Sequence, residues 1–365
     1  MLWILSLSAI TDCMTRLITF SIVLALVVSC NRYGIVDGVK VDLVTPEKVV
    51  SISPDTNFRH NFPEVLHCFQ LQIVCDTILV VQEHISEATN SHFKAYSINS
   101  ADYLGSFIQN GRGPGELIGP RIVQCCPNEK YLNLSCHQMN QAYIIDVIQS
   151  IKSGKPAIVQ NYMLQTNQLD WHPLPDSASF TFQFDNNRFS FNKIGIDGEI
   201  TNTTYLSKDI NAEHCIIYLS SFMIGHDKTD EIANVMIFSP HIDVIDMSNG
   251  QLRSFATDRD YRKWKSQLHR IPDMNTMQYY MAATASPDYI FAVYKKVPLS
   301  ELHASGHDTS IHVFDWNGNF LYNISVSENI GAIAFDRINR HLYCSDESDC
   351  RIIRYDLSHL ISKTL

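Results

Sequence analysis

The chain has 365 residues, 45% of them hydrophobic and 18% charged, with 28 Lys and Arg against 38 Asp and Glu and a formal net charge of −10. A chain of this length and apolar content buries a large core, as one big domain or two smaller ones, and its acidic balance argues against a nucleic-acid binder. The ten cysteines include no C-x-x-C pair, which argues against a zinc ribbon or a thioredoxin-like motif.

Residues 14–30 read M-T-R-L-I-T-F-S-I-V-L-A-L-V-V-S-C. Arg16 supplies a positive n-region, and Leu17 to Val28 an apolar h-region too short for a comfortable transmembrane helix. The ending Leu26-Val27-Val28-Ser29-Cys30 resembles a bacterial lipobox. The resemblance implies cleavage before Cys30, a diacylated Cys30 thiol and an acylated amine. Two or three acyl chains anchor stably where a single chain does not. The alternative is an ordinary secretory signal that ends in Ser-Cys. Residues 1–29 are therefore read as a signal peptide, with Met14 a candidate true start because a complete signal begins there. Residues 30–42 follow as the lipidated cysteine and a tether, and residues 43–365 as the folded body. Asn31 does not resemble the aspartate that retains some lipoproteins at the inner membrane. The expected location is the cell envelope, anchored to the outer membrane, with the periplasmic or surface side left open.

Past the tether no long segment keeps a helical period, and short alternating strands recur between Asp, Asn and Gly turns. Phe93 to Ser97 leads through Asn99 and Ser100 into Tyr103 to Phe107. The run Gly111-Arg112-Gly113-Pro114-Gly115-Glu116 comes next. A phosphate loop needs Gly-Lys-Ser/Thr opening a helix, and a dinucleotide fingerprint needs a βαβ context. Strand-like runs flank this one on both sides, so it reads as a connector that steps between strands. Ile122 to Cys126 turns at Pro127-Asn128 into Lys130 to Leu134, and Gln141 to Asp146 begins a pair completed near Ala157 to Tyr162. His241 to Asp246 leads through Asn249-Gly250 into Leu252 to Phe255, and Met281 to Ala285 turns at Pro287-Asp288 into Tyr289 to Tyr294. Ile311 to Asp315 leads through Asn317-Gly318, a strong hairpin signal, into Phe320 to Ile324. Gly331 to Phe335 pairs with His341 to Cys344, and Arg351 to Asp356 is the last strand. The repeating unit is a four-stranded meander of about forty to seventy residues, the size of a propeller blade.

The runs G-R-G-P-G-E-L-I-G-P-R-I-V, V-F-D-W-N-G-N-F-L and I-A-F-D-R-I-N-R-H-L-Y-C-S-D resemble NHL-repeat proteins. Taken with the lipobox, the chain is similar to the TolB-like six-bladed β-propeller lipoproteins of Gram-negative bacteria, from about Val39 to Leu357. The likeness is strong at 92–126 and 311–357 and weak at 165–235. Third strands fall near 93, 143, 190, 242, 312 and 352, which gives six blades, although the run near 190 reads equally as a second strand. The expected fold is all-β: a six-bladed β-propeller of four-stranded antiparallel blades. The last blade lacks a fourth strand, so a strand within Val39 to Ile52 is expected to supply that edge and close the ring.

In such a ring, the loops that enter the innermost strands share a face with those joining second to third strands, around the channel mouth. Arg112 and Glu116 fall there, as does an insertion at 257–276 with Tyr261, Arg262 and Trp264. A second insertion, 297–309, carries His303, His307 and Asp308, and Asp346, Glu347 and Asp349 form an acidic turn. Arg112, Glu116, Arg262, Trp264, His303 and His307 are the candidate ligand-binding residues. Arginine, tryptophan and carboxylates on one rim suit a glycan, a peptide or a protein partner. The competing reading is structural: Arg112 and Glu116 satisfy the loop or each other, Trp264 packs inward beneath a solvated basic helix, and the acidic turn is simply hydrated. Cys344 with Cys350, and Cys68 with Cys75, either close hairpin disulfides or are free thiols. The sequons at Asn133, Asn202 and Asn323 are chance matches in a bacterial context.

No H-E-x-x-H and no Gly-x-Ser-x-Gly is present. The expected function is that of a non-catalytic binding or scaffolding lipoprotein of the envelope, held to the membrane by its lipid and needing no cofactor. The resemblance leaves an alternative, a calcium-dependent lactonase or hydrolase with Ca²⁺ at the channel mouth. The expected innermost strands are mostly apolar or small (Ile333, Ala334, Ala282, Ala283, Val123), which weakens that alternative. A third reading, a structural subunit of an envelope complex, requires a contiguous exposed apolar patch.

Overall fold

The computed structural model describes residues 34–55, 58, 68–85, 90–124, 130–175, 177–208, 210, 215–268, 270–302 and 308–361. Two short strands come first, β1 (Val41–Leu43) and β2 (Lys48–Ser51). Blade 1 holds β3 (Cys68–Val74), β4 (Ile78–Glu83), β5 (Ser91–Ser97), β6 (Tyr103–Asn110) and the two-residue β7 (Glu116–Leu117). Blade 2 holds β8 (Arg121–Ile122), β9 (Tyr131–Cys136), β10 (Gln141–Asp146) and β11 (Ile158–Met163). Blade 3 is β12 (Gln168–Pro173), β13 (Ser179–Asp185), β14 (Arg188–Ile194) and β15 (Ile200–Tyr205). Blade 4 is β16 (Ser221–Gly225), β17 (Glu231–Met236), β18 (His241–Asp246) and β19 (Gln251–Ala256). Blade 5 is β20 (Met277–Ala285), β21 (Tyr289–Pro298), β22 (Thr309–Asp315) and β23 (Phe320–Val326). Blade 6 has β24 (Ile330–Asp336), β25 (His341–Asp346) and β26 (Arg351–Asp356). The six sheets form a ring, with the first full strand of each innermost, and the run near 190 is a third strand.

One local device explains why so many strands end in aspartate. Asp246, Asp315, Asp336, Asp346 and Asp356 each accept, through Oδ1, the backbone N–H two residues on, at 2.8–3.1 Å. Such Asx turns add a side-chain anchor to the backbone turn, in which the Asp246 and Asp315 carbonyls accept the Gly250 and Gly318 N–H at 2.8 and 3.1 Å. Gly250 and Gly318 follow with φ of 74° and 91°, a region that favours glycine. At Gly318 a side chain would also meet the ring of Phe255 at 2.8 Å.

Apolar faces of adjacent blades interlock. Phe93, Phe107 and Val80 of blade 1 pack on Leu132, Leu134 and Tyr143 of blade 2. Phe180, Phe189 and Phe191 of blade 3 meet Ile232 and Met236 of blade 4. Phe255 joins Phe314, and Phe291 stacks on Phe335 at 4.5 Å. The seam between blades 2 and 3 is thin, with only Val123, Ala142, Leu164 and Trp171 fully buried among the described residues.

The ring closes between blades 6 and 1 by packing rather than by strand exchange. Arg337 makes two bonds of 3.1 Å to Asp76, and Ala334 and Tyr343 share a core with Leu71, Leu79 and Tyr96. This corrects the expectation of uniform four-stranded blades completed by an N-terminal strand. The segment instead runs as a belt over three outer edges. β1 pairs in parallel with β19 (Val41 opposite Ser254), and β2 in parallel with β23 (Lys48 opposite Tyr322), giving blades 4 and 5 a fifth strand each. Blade 6 keeps three strands, and the Asp55 N–H donates to its Arg354 carbonyl at 2.8 Å. The Arg354 guanidinium pairs with Asp55 and lies 4.5 Å over the Phe58 ring. Proline explains the steps. Pro46 and Pro54 sit where the belt crosses from one blade to the next, and a residue without an N–H cannot continue a ladder.

Candidate functional site

The starts of the innermost strands surround a cavity of about 610 Å³ at the channel mouth, lined from all six blades. It is a cup rather than a bore. Below it the Gln124 carbonyl of blade 2 accepts the Gly225 N–H of blade 4 at 3.1 Å, across the axis. The Gln124 amide donates to the Leu71 carbonyl of blade 1 at 3.0 Å, so one residue ties three blades into a floor. The rim is fixed in the same way: Gln82 donates to the Pro120 carbonyl at 2.6 Å and accepts from the Ile122 N–H at 3.2 Å, which holds β8 despite its two-residue length.

The walls differ in chemistry. On the side of blades 4 and 5 they are apolar, with Leu219, Phe222, Met223, Met281 and Leu302. On the side of blades 2 and 3 they carry Arg121, His137, Asp170 and His172. Arg121 opens β8, and its guanidinium lies 5.8 Å over the Phe69 ring, which also meets His84 at 4.9 Å. His137 sits in the short turn after β9. β12 carries a bulge between Gln168 and Asp170, and it turns Asp170 and His172 to the cup while Trp171 faces away.

The electrostatics follow from this packing. Burial pushes the Asp170 carboxyl up, but the neighbouring His172, the Trp171 N–H at 2.8 Å and His137 together hold it below its ordinary range. Burial lowers His137, with Asp170 opposing and Arg121 assisting. His172 is 2% exposed, its Nε2 faces the Asp170 carboxylate at 3.5 Å, and its Nδ1 has no hydrogen-bond partner. A buried ring nitrogen left unsatisfied is costly unless a ligand or water completes it. Among the described residues no three His, Cys, Asp or Glu side chains come together as metal ligands.

Among the described residues, the candidates Arg112, Glu116, Arg262 and Trp264 do not line the cup. The Glu116 carboxylate turns back on its own loop and accepts the Gly113 N–H at 2.8 Å. A side chain at Gly111 would strike that carboxylate, which explains the glycine. Leu117 then returns its carbonyl to the Gly111 N–H, and β7 pairs in parallel with the outer strand β6. Arg112 is exposed on the same loop, at the outer edge of blade 1. Arg262 is exposed with its guanidinium 5.7 Å from the Tyr261 ring. Trp264 is 2% exposed within the core that joins blades 3 and 4, and presents no face to a ligand. His303 and His307 lie outside the described residues, though Leu302 beside them reaches the cup. In the acidic turn Asp346 is buried and bound by Arg351 at 3.0 Å, Asp349 lies 3.3 Å from Arg351, and Glu347 alone reaches the cup. Cys68, Cys75, Cys344 and Cys350 are free thiols.

Residues 65–337 match the family model described as TolB-like 6-blade propeller-like. The chain belongs to this TolB-like propeller family. Among solved structures, this TolB-like propeller is similar to a putative exported protein of Bacteroides fragilis, with 13% identity, a TM-score of 0.44 and coverage of 76% of this chain and 80% of that one. It is also similar to a member of the DUF4221 family from Bacteroides vulgatus, with 9% identity, a TM-score of 0.47 and coverage of 86% and 94%. Hydrazine synthase of Kuenenia stuttgartiensis aligns at 11% identity and a TM-score of 0.43, over 85% and 83% of the two chains. No curated protein is significantly similar to the chain.

Proposed function

We propose that this TolB-like propeller is a lipid-anchored binding protein of the cell envelope whose polar ligand occupies the cup at the channel mouth. The observation that carries the reading is His172, buried with its Nε2 on Asp170 and its Nδ1 unsatisfied, in a floored cavity beside Arg121 and His137. Arg121 and His137 suit an anionic or hydrogen-bond-accepting group, and the Phe222 and Met281 side suits an apolar body. A short peptide or a modified glycan has both.

Anchoring rests on the Cys30 lipobox. The belt begins at Gly34, beside Ser254, so a lipidated Cys30 would hold the molecule by the outer edge of blade 4.

The test has two arms. Cells fed a labelled fatty acid should yield a labelled full-length chain, and Cys30→Ala should lose the label and leave the membrane fraction. Glycan and peptide arrays probed with the wild-type chain, His172→Ala and Arg121→Ala should show a ligand class whose signal drops at least tenfold in both variants. Array binding indifferent to both substitutions would remove the cup as the site, and an unlabelled wild-type chain would remove the anchor.

A further inference from the structure

The thin seam between blades 2 and 3 leaves a second cavity on the outer side of β12, a groove of about 280 Å³. β12 separates it from the cup: Gln168 and Trp171 face the groove, Asp170 and His172 the cup. Its other wall is the inward face of β11, which contributes the alternate residues Gln160 and Tyr162. Ile196, 85% exposed, and Met163, 78% exposed, form apolar lips on either side.

None of the thirteen lining residues is charged, so a charged ligand would lose hydration with no ionic partner there. The polar groups are amides and hydroxyls, which both donate and accept. Thr181, opposite Trp171 in the ladder, is fully buried, and its hydroxyl has no partner. Thr181 is one of the residues that line the groove. The Gln168 Oε1 is held by the Gln165 N–H at 2.8 Å, which leaves its NH₂ to meet a ligand. The Tyr162 ring lies 4.9 Å from Trp171, and its phenol is steadied by Gln160. An aromatic ring half open to solvent, ringed by neutral hydrogen-bonding groups, suits a flat face of C–H bonds with hydroxyls around its edge. A strand-forming peptide suits it poorly, because the walls are strand faces, not free edges.

We propose that this groove is a binding site for a neutral saccharide, with a sugar ring against Tyr162 and its hydroxyls meeting Thr181, Gln168 and Ser179. The site is independent of the cup and of the ligand assigned there.

The full-length chain in a sugar-free detergent is titrated with glucose, galactose, N-acetylglucosamine and maltose, and with glucuronate, by saturation-transfer NMR. At least one neutral sugar should bind, and glucuronate at least tenfold more weakly. Tyr162→Ala should weaken that binding at least tenfold. Thr181→Val should weaken it at least fivefold while its melting temperature equals or exceeds that of the wild type, since valine keeps the shape and removes an unsatisfied hydroxyl. Arg121→Ala, which alters only the cup, should leave the titration unchanged. Absence of binding by every neutral sugar, or equal binding by Thr181→Val and Tyr162→Ala, overturns the proposal. So does loss of sugar binding in Arg121→Ala, which would place the sugar in the cup.

Discussion

His312 gives the fold a steep response to acid. It lies on β22, 4% exposed, stacked on Tyr294 at 4.5 Å and tilted against Phe320 at 4.7 Å. The Tyr280 hydroxyl approaches its Nδ1 at 3.4 Å, and no carboxylate contributes to its titration. Burial pushes the imidazole down to about 3 from the ordinary value of 6.5. Between those two pH values the unfolded chain holds a proton that the folded one does not, so stability rises with pH and falls on acidification. The slope is ~1.4 kcal/mol per pH unit, so a step from pH 7.5 to 5.0 removes ~2 kcal/mol through this one residue. The perturbation is His312→Phe, which keeps an aromatic ring of similar volume and removes the titration. Urea unfolding of both proteins at pH 7.5 and 5.0 supplies the comparison. Other groups shift both proteins alike, and the wild type should lose ~2 kcal/mol more than the variant. Equal losses, within ~0.5 kcal/mol, would refute the reasoning.

Two further outcomes follow from the packing. Native alkylation with a maleimide, read by peptide mass mapping, should modify the exposed Cys350 and spare Cys344, whose thiol burial raises well above the ordinary range. An unmodified Cys350 that reacts only after reduction would instead mean a disulfide. Removal of residues 34–52 should cost several kcal/mol, because Ile35 and Val41, each 1% exposed, are worth ~1.5–3 kcal/mol apiece. Hydrogen exchange should then quicken in β19 and β23, whose edges lose their parallel partners, and not in β11. A truncated chain with wild-type melting and exchange would contradict the belt.

The ring was legible because each blade repeats a local signal. Alternating apolar runs, Asn-Gly turns such as Asn317-Gly318, and strand-final aspartates such as Asp315 act within a few residues, and all are visible in the chain. The path of the belt was not. Parallel edge pairing leaves little pattern in a three- or four-residue strand, and Val49 of β2 is 67% exposed. Only Pro46 and Pro54 hint that the segment steps rather than runs on. The cup was hidden for a different reason. Arg121, His137, Asp170 and His172 are brought together by the packing of two blades, and no spacing in the sequence joins them. For Glu116 and Trp264 the structural reading of the sequence is the one the fold follows: Glu116 fastens its own loop and Trp264 fills a core. The bulge in β12, which faces Asp170 and His172 one way and Trp171 the other, has no signature beyond an ordinary strand sequence.

The belt also orders events in time. Its contact between Asp55 and Arg354 spans 299 residues of chain, and its pairing of Val41 with Ser254 needs blade 4 complete. The earliest part of the described chain to be made is therefore late to find its place. β1 must wait for blade 4 and β2 for blade 5, and only the Asp55 end must wait for blade 6. Loop closure over such distances is slow, so the final docking of the belt is expected to limit folding. A chain cut short before β26 keeps the edges of blades 4 and 5 for β1 and β2 but has no Arg354 for Asp55.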